Sequence, residues 1–126
     1  MHDAAPRAAA HASHPSVMPL RLHLLRHGQT PSSRDNVFCG AGLDPMLTDD
    51  GIAIARAFEQ AYRGRPWRAV YSGPLARATV TARTIADPWG LPVVVREGLT
   101  EIAYGRWDGL TTAVVDRDFH DDYVRW

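Results

Sequence analysis

Arg26-His27-Gly28 follows directly on the apolar run Leu20-Arg21-Leu22-His23-Leu24-Leu25. A histidine delivered by the carboxyl end of a buried strand into a glycine-containing loop stands where open α/β sheets place their chemistry. The arginine beside it keeps its charge at all accessible pH and offers a planar fork suited to phosphate oxygens. Arg77 and Glu101 stand further along. Arg77 falls in the first turn of a predicted helix, where free backbone N–H groups and the helix dipole already favour an anion. Two guanidinium groups and a histidine at one rim would form a nest for a dianion, of which phosphate is the commonest in metabolism. Each residue has a plainer reading. Arg77 alone reads as a solvated surface residue, and Arg26 alone as the partner of a nearby Asp.

The elements that would position these groups can be read from pattern. Residues 20–25 are almost continuously apolar, as in a parallel strand covered on both faces, and His23 inside that strand reads as packed and hydrogen-bonded. Thr30 to Pro45 is a loop region with a short helical turn around Arg34–Val37. Thr48 can cap a helix whose first turn carries Asp49 and Asp50. Ile54, Ala57, Phe58, Ala61 and Tyr62 recur on one face of it, and Gly64 with Pro66 stops it. Ala69–Tyr71 reads as a strand, followed by a helix with Pro74 at its first position and a buried stripe of Leu75, Ala78, Ala82 and Ile85. Asp87-Pro88 ends that helix, and Val93-Val94-Val95 is a third strand. Gly98 to Gly109 is irregular, and an amphipathic segment begins near Thr111. This βαβαβ order calls for a parallel sheet with helices across it.

The chain has 126 residues, 45% apolar, with formal charge zero, which is one small domain's worth. Neutrality argues against a nucleic-acid or acidic-membrane partner. All 14 basic residues are Arg, so Schiff-base lysine chemistry has no candidate. Cys39 is the single cysteine, and no stretch has the length of a membrane span. Residues 1–19, rich in Ala, His and Pro, lack a secretory h-region and read as a disordered tail on a cytoplasmic protein. Met18 is an alternative start, and His2, His11 and His14 are better read as solvated than as a chelate.

Four blocks carry a resemblance. They are Arg26-His27-Gly28-Gln29-Thr30, Leu43-Asp44-Pro45-Met46-Leu47-Thr48-Asp49-Asp50-Gly51, Ser72-Gly73-Pro74-Leu75-Ala76-Arg77-Ala78-Thr79-Val80-Thr81-Ala82, and Leu99 through Thr111 with its Glu101-Ile102-Ala103-Tyr104-Gly105-Arg106-Trp107-Asp108-Gly109 core. In this order, over nearly everything after the tail, they resemble the histidine phosphatase family, also called phosphoglycerate mutase-like. The resemblance implies a three-layer αβα phosphoglycerate mutase-like α/β fold with a mostly parallel sheet. Residues 20–126 would be the N-terminal βαβαβ portion of that domain. It implies His27 as the nucleophile forming a phosphohistidine, and Arg26 and Arg77 on the equatorial oxygens with Gly28 of the same loop at the phosphate. Glu101 would be the general acid, its proton affinity raised by partial burial among Leu99, Ile102 and Tyr104. The substrate would be a small phosphorylated metabolite, with neither a cofactor nor a metal.

Two departures stand out. Ser33 lies near a position where the family often has a phosphate-holding Asn, and its shorter hydroxyl makes a weaker candidate. The family also has a second histidine in a later Val-x-His-Gly strand end, which nothing here matches. His120 has no strand before it and does not inherit that role. The expectation is therefore an N-terminal portion with an open sheet edge and weak or absent phosphatase activity. The resemblance favours the phosphatase branch over phosphoglycerate mutase, and a non-catalytic phosphate-binding remnant is the alternative of another class.

Overall fold

The computed structural model describes residues 19–126. The tail expected over 1–19, with His2, His11, His14 and Met18, therefore lies outside the described residues apart from Pro19. Seven regular elements follow: α1 (Pro31–Arg34), α2 (Asp49–Tyr62), β1 (Val70–Ser72), α3 (Ala76–Ala86), β2 (Val93–Val95), α4 (Thr112–Asp118) and α5 (His120–Arg125). The fold is α/β with a small parallel sheet. β1 and β2 pair in parallel, with Val70 opposite Val93 and Ser72 opposite Val95. Parallel neighbours need a crossover, and α3 supplies it, packing on both strands and against α2.

The first predicted strand is corrected by the structure. Residues 20–25 form no ladder, and Leu20, Leu22 and Leu24 are 84%, 76% and 96% exposed. A strand exists only with a neighbour to take its N–H and C=O groups. β1 is three residues long and pairs with β2, leaving this run unpartnered among the described residues. The βαβαβ order thus reduces to one βαβ unit. His23 is corrected with it: it is exposed, rests edge-on against the Trp67 ring at 4.7 Å, and makes no hydrogen bond among the described residues.

Thr48 caps α2 as its sequence predicts, its hydroxyl accepting from the Gly51 N–H at 3.1 Å. The buried face is rotated from the expected stripe. Gly51, Ala55 and Glu59 are buried, whereas Ile54, Ala57 and Ala61 are exposed. Two local facts turn the helix. Gly51 lies against the backbone of Gly28 and Gln29, and Glu59 is satisfied inside. Both Glu59 carboxylate oxygens accept from Arg63 at 2.6 Å, and Oε1 also accepts from Trp89 Nε1 at 3.1 Å. A paired carboxylate can sit where periodicity alone expects an apolar side chain.

α3 begins at Ala76, two residues after Pro74, and Leu75 in the N-cap position offers no capping side chain. Asp44 supplies the cap instead, its Oδ1 accepting from the Ala76 N–H at 2.7 Å across 32 residues. Ala82 and Ile85 are buried as expected, joined by Arg77, Thr81 and Ala86. The short turn predicted at 34–37 is found at Pro31–Arg34, where Thr30 and Ser33 form a capping box with Pro31 in the first position. Strand 93–95 agrees with its expectation, and 98–109 holds only single 3-10 turns at Glu97–Leu99 and Gly105–Trp107.

A second cluster is built on Phe38, which is 8% exposed. The rings of Tyr104, Trp107 and Trp126 lie 5.0, 5.3 and 5.8 Å from it, all tilted rather than stacked. Backbone bonds clamp the segments together. Phe38 N–H donates to Leu110 C=O, Gly109 N–H to Phe38 C=O, and Ala41 N–H to Ile102 C=O. Gly40 permits the last approach, because a Cβ there would overlap the Ile102 carbonyl. Among the described residues no helix is long and apolar enough to cross a membrane.

Two outcomes test this packing. A Cβ at Gly28 would lie 2.5 Å from Gly51 O, so Gly28→Ala should lower stability by about 1–3 kcal/mol in urea unfolding. Glu59 has its pKa lowered, chiefly by its hydrogen bonds from Arg63. A carboxyl that titrates lower when folded stabilises fully above the unfolded carboxylate pKa and loses that contribution as pH falls through the folded one. The urea midpoint should therefore fall on acidification, and Glu59→Gln should start lower at pH 7 and lose less of it.

Candidate active site

The nucleophile loop is held from two sides. On one, Thr48 N–H donates to Gln29 C=O at 2.9 Å, and Gly51 seats against Gln29 with no room for a side chain on either glycine. On the other, the Gly28 N–H donates to Thr81 Oγ1 at 2.9 Å, inside α3. The imidazole of His27 is half-buried, and its Nδ1 lies 2.7 Å from the Gly28 carbonyl. A carbonyl can only accept, so this contact is a hydrogen bond when Nδ1 carries the proton, and in the neutral ring that arrangement leaves the Nε2 lone pair free. That is the tautomer an imidazole nucleophile needs.

Arg77 is 2% exposed, which overturns its plainer reading as a surface residue. Its Nη1 donates to Leu43 C=O at 2.8 Å, and its Nη2 to Cys39 C=O and Gly40 C=O at 3.2 and 3.3 Å. Of the five guanidinium donors this leaves Nε–H and one Nη1 hydrogen without a partner among the described residues. No acidic group pairs with it there, so its charge is buried against carbonyl dipoles alone. Such a charge is costly until an anion meets it. Arg26 is exposed and makes no ion pair among the described residues, so pairing with an Asp does not account for it either.

A cleft of about 490 Å³ brings these groups together. Arg26, His27, Ser33, Arg77 and Glu101 all line it, and Phe38, Tyr104, Tyr123 and Trp126 form an aromatic wall. Gly28 does not line it, since its N–H faces Thr81 and its Cα faces Gly51. Ser33 reaches the cleft but spends its proton on Thr30 C=O at 3.1 Å and accepts from Thr30 N–H at 2.9 Å. Glu101 departs from expectation. It is exposed, as are Leu99 and Ile102 at 56% each, so the partial burial expected around its carboxyl is absent. Its Oε1 accepts from the Ile102 N–H at 2.9 Å. The irregular chain from 98 to 109 carries few side chains inward, which is why the apolar neighbours give no cover.

Tyr104, read from the sequence only as cover for the Glu101 carboxyl, itself lines the cleft. Burial pushes its phenol up, helped by the charges of Glu101 and Asp108 and opposed by Arg26. Asp108 Oδ1 accepts from the Gly40 N–H at 2.6 Å and fixes the loop that cradles Arg77. Thr30 is 1% exposed and lines the cleft. The Thr30-Pro31-Ser32-Ser33 capping pattern was the available signal for it. His120 bonds Asp116 Oδ1 at 2.7 Å on the exposed α4–α5 surface and does not line the cleft. Among the described residues no group of three or more His, Cys, Asp or Glu is placed to hold a metal.

Comparison with known proteins identifies the family. The profile of the Histidine phosphatase superfamily (branch 1) matches residues 22–126. A bifunctional protein of Mycobacterium tuberculosis is 39% identical over 109 residues, 86% of this chain and 30% of its own length. Phosphoserine phosphatase 1 of Hydrogenobacter thermophilus is 30% identical over 107 residues, covering 85% of this chain and 50% of itself. The 2,3-bisphosphoglycerate-dependent phosphoglycerate mutase of Parvibaculum lavamentivorans is 36% identical over 98 residues, 74% and 46% of the two chains. Among solved structures, a mycobacterial glucosyl-3-phosphoglycerate phosphatase in complex with VO3 aligns with a TM-score of 0.74 at 33% identity. That alignment covers 79% of this chain and 49% of the other. The chain thus spans about half the length of the phosphatase and mutase relatives it matches. With a phosphoglycerate mutase-like fold, and a profile match running from the strand-like segment before His27 to Trp126, this chain belongs to the histidine phosphatase superfamily.

Proposed function

We propose that these residues carry the phosphoryl-transfer half of a phosphomonoester hydrolase acting on small phosphorylated metabolites in the cytoplasm. The observation that carries this reading is Arg77, a buried guanidinium with two donors uncommitted among the described residues, in the same cleft as a histidine whose Nδ1 faces the Gly28 carbonyl. Arg26 and Arg77 hold the equatorial oxygens. His27 Nε2 attacks phosphorus in line, so that the P–N bond forms as the ester P–O bond breaks. Glu101 gives its proton to the departing alkoxide. The positive charge gained by the ring is shared through Nδ1–H with the Gly28 carbonyl. Water then loses a proton to Glu101, attacks phosphorus and breaks the P–N bond, restoring the free Nε2. Gly28 and Ser33 serve packing and capping in this scheme, and no step requires a cofactor or metal.

The exposure of Glu101 and the single histidine lining the described cleft make these 126 residues a weak catalyst on their own. A missing charged or donor group at a transferring phosphoryl typically costs on the order of 10²–10³ in rate. A second reading within the family, phosphoglycerate mutase, is supported by the mutase relative. Stimulation by added 2,3-bisphosphoglycerate separates it from the hydrolase.

Brief incubation with ³²P-labelled phosphomonoester and acid-free denaturation should leave label on the wild-type chain that is lost on mild acid treatment. His27→Ala should carry none, and acid-stable or absent label on the wild type would oppose the reading. Arg77→Met should cut labelling by on the order of 10²–10³. Steady turnover of p-nitrophenyl phosphate by the wild-type chain should be slow, and brisk turnover would show that the cleft is already complete.

A further inference from the structure

Thr81 lies in the second turn of α3, 5% exposed, and its hydroxyl does two things at once. It donates to the Arg77 carbonyl at 2.8 Å and accepts from the Gly28 N–H at 2.9 Å, a residue 53 positions earlier. The first bond is ordinary, because a helical threonine often returns its proton to the carbonyl four residues back. Thr84, one turn on, does the same with Val80 C=O at 2.8 Å. The second bond is what helix geometry does not supply. It ties the loop carrying His27 to the helix carrying Arg77.

The bonds run in one direction. His27 Nδ1–H donates to Gly28 C=O, Gly28 N–H donates to Thr81 Oγ1, and Thr81 O–H donates to Arg77 C=O. Each oxygen already takes the proton before it, so the chain has one consistent proton order. We propose that Thr81 is a positioning residue that fixes His27 in its Nδ1–H tautomer, with Nε2 free towards the cleft, and registers it against Arg77. The hydroxyl holds Gly28, and Gly28 presents its carbonyl to Nδ1. Without the hydroxyl, the Gly28 N–H loses a buried acceptor and the residue can rotate, so its carbonyl no longer selects one ring proton over the other. The inference rests on His27 as the nucleophile for its functional meaning, but the tautomer exists without substrate and is measured without it.

The test uses ¹⁵N-imidazole-labelled 126-residue chain, read by long-range ¹H–¹⁵N correlation at a pH where His27 is neutral. Wild type should show Nδ1 protonated and Nε2 bare. Thr81→Val keeps the side-chain shape and should raise the Nε2–H population roughly five- to tenfold, the worth of one hydrogen bond. Thr81→Ser should restore the wild-type pattern, and Thr84→Val, which removes only a helical back-bond, should leave it unchanged. A folded Thr81→Val chain with the wild-type tautomer, or a wild-type His27 protonated on Nε2, would overturn the inference. Should Thr81→Val not fold, Gly28 amide exchange in the wild type decides. A protected amide supports the tie, and one exchanging as fast as a loop amide refutes it. Acid-labile labelling of His27 separately tests the nucleophile, so failure of one does not masquerade as failure of the other.

Discussion

A guanidinium buried with no carboxylate beside it among the described residues is the constraint around which the rest of this chain is arranged. Arg77 enters the interior on the first turn of α3 and is met by the carbonyls of Cys39, Gly40 and Leu43. Carbonyl dipoles soften a buried charge but do not cancel it. The loop that presents them must therefore be held in place. Asp108 takes the Gly40 amide, Ile102 takes the Ala41 amide, and Asp44 leaves the same loop to cap α3. One charge thus couples α3, the 39–44 loop and the 101–109 stretch. An acidic partner in its place would have been the simpler route to stability and would have blocked the cleft to anions.

The other half of the site is held by close backbone approach. Gly28 and Gly51 meet with no side chain between them, so the loop after residue 26 rests on the start of α2. Thr48 caps that helix and bonds Gln29 at once. The imidazole Nδ1 then meets the carbonyl of Gly28, a residue whose own N–H is held by Thr81. Rigid positioning matters because phosphoryl transfer asks the protein mainly for placement and charge. The aromatic cluster on Phe38 closes the far wall and brings Tyr104 and Trp126 to the same cleft.

Much of this was legible in the residues. Thr48 capped its helix, the triple valine paired as a strand, and Arg26, His27 and Arg77 from the two quoted blocks came to one cleft. What was not legible depended on partners distant in sequence. The run 20–25 has the composition of a strand, but pairing is a property of two chains' worth of backbone, and no second one lies beside it among the described residues. The buried face of α2 turned because Glu59 found Arg63 and Trp89, which no hydropathy pattern encodes. Glu101 was expected among apolar cover, yet local sequence neighbours in an irregular segment need not be spatial ones. Thr81 and Asp44 were invisible for the same reason, each acting on a residue more than thirty positions away.

A crystal structure of the chain soaked with phosphate or vanadate addresses the central claim most directly. The anion should sit in the cleft with its central atom in line with His27 Nε2 and oxygens on the free Nε–H and Nη1–H of Arg77 and on Arg26. An anion bound elsewhere, or an Arg77 whose remaining donors are turned into the protein while the cleft stays empty at saturating anion, would contradict it.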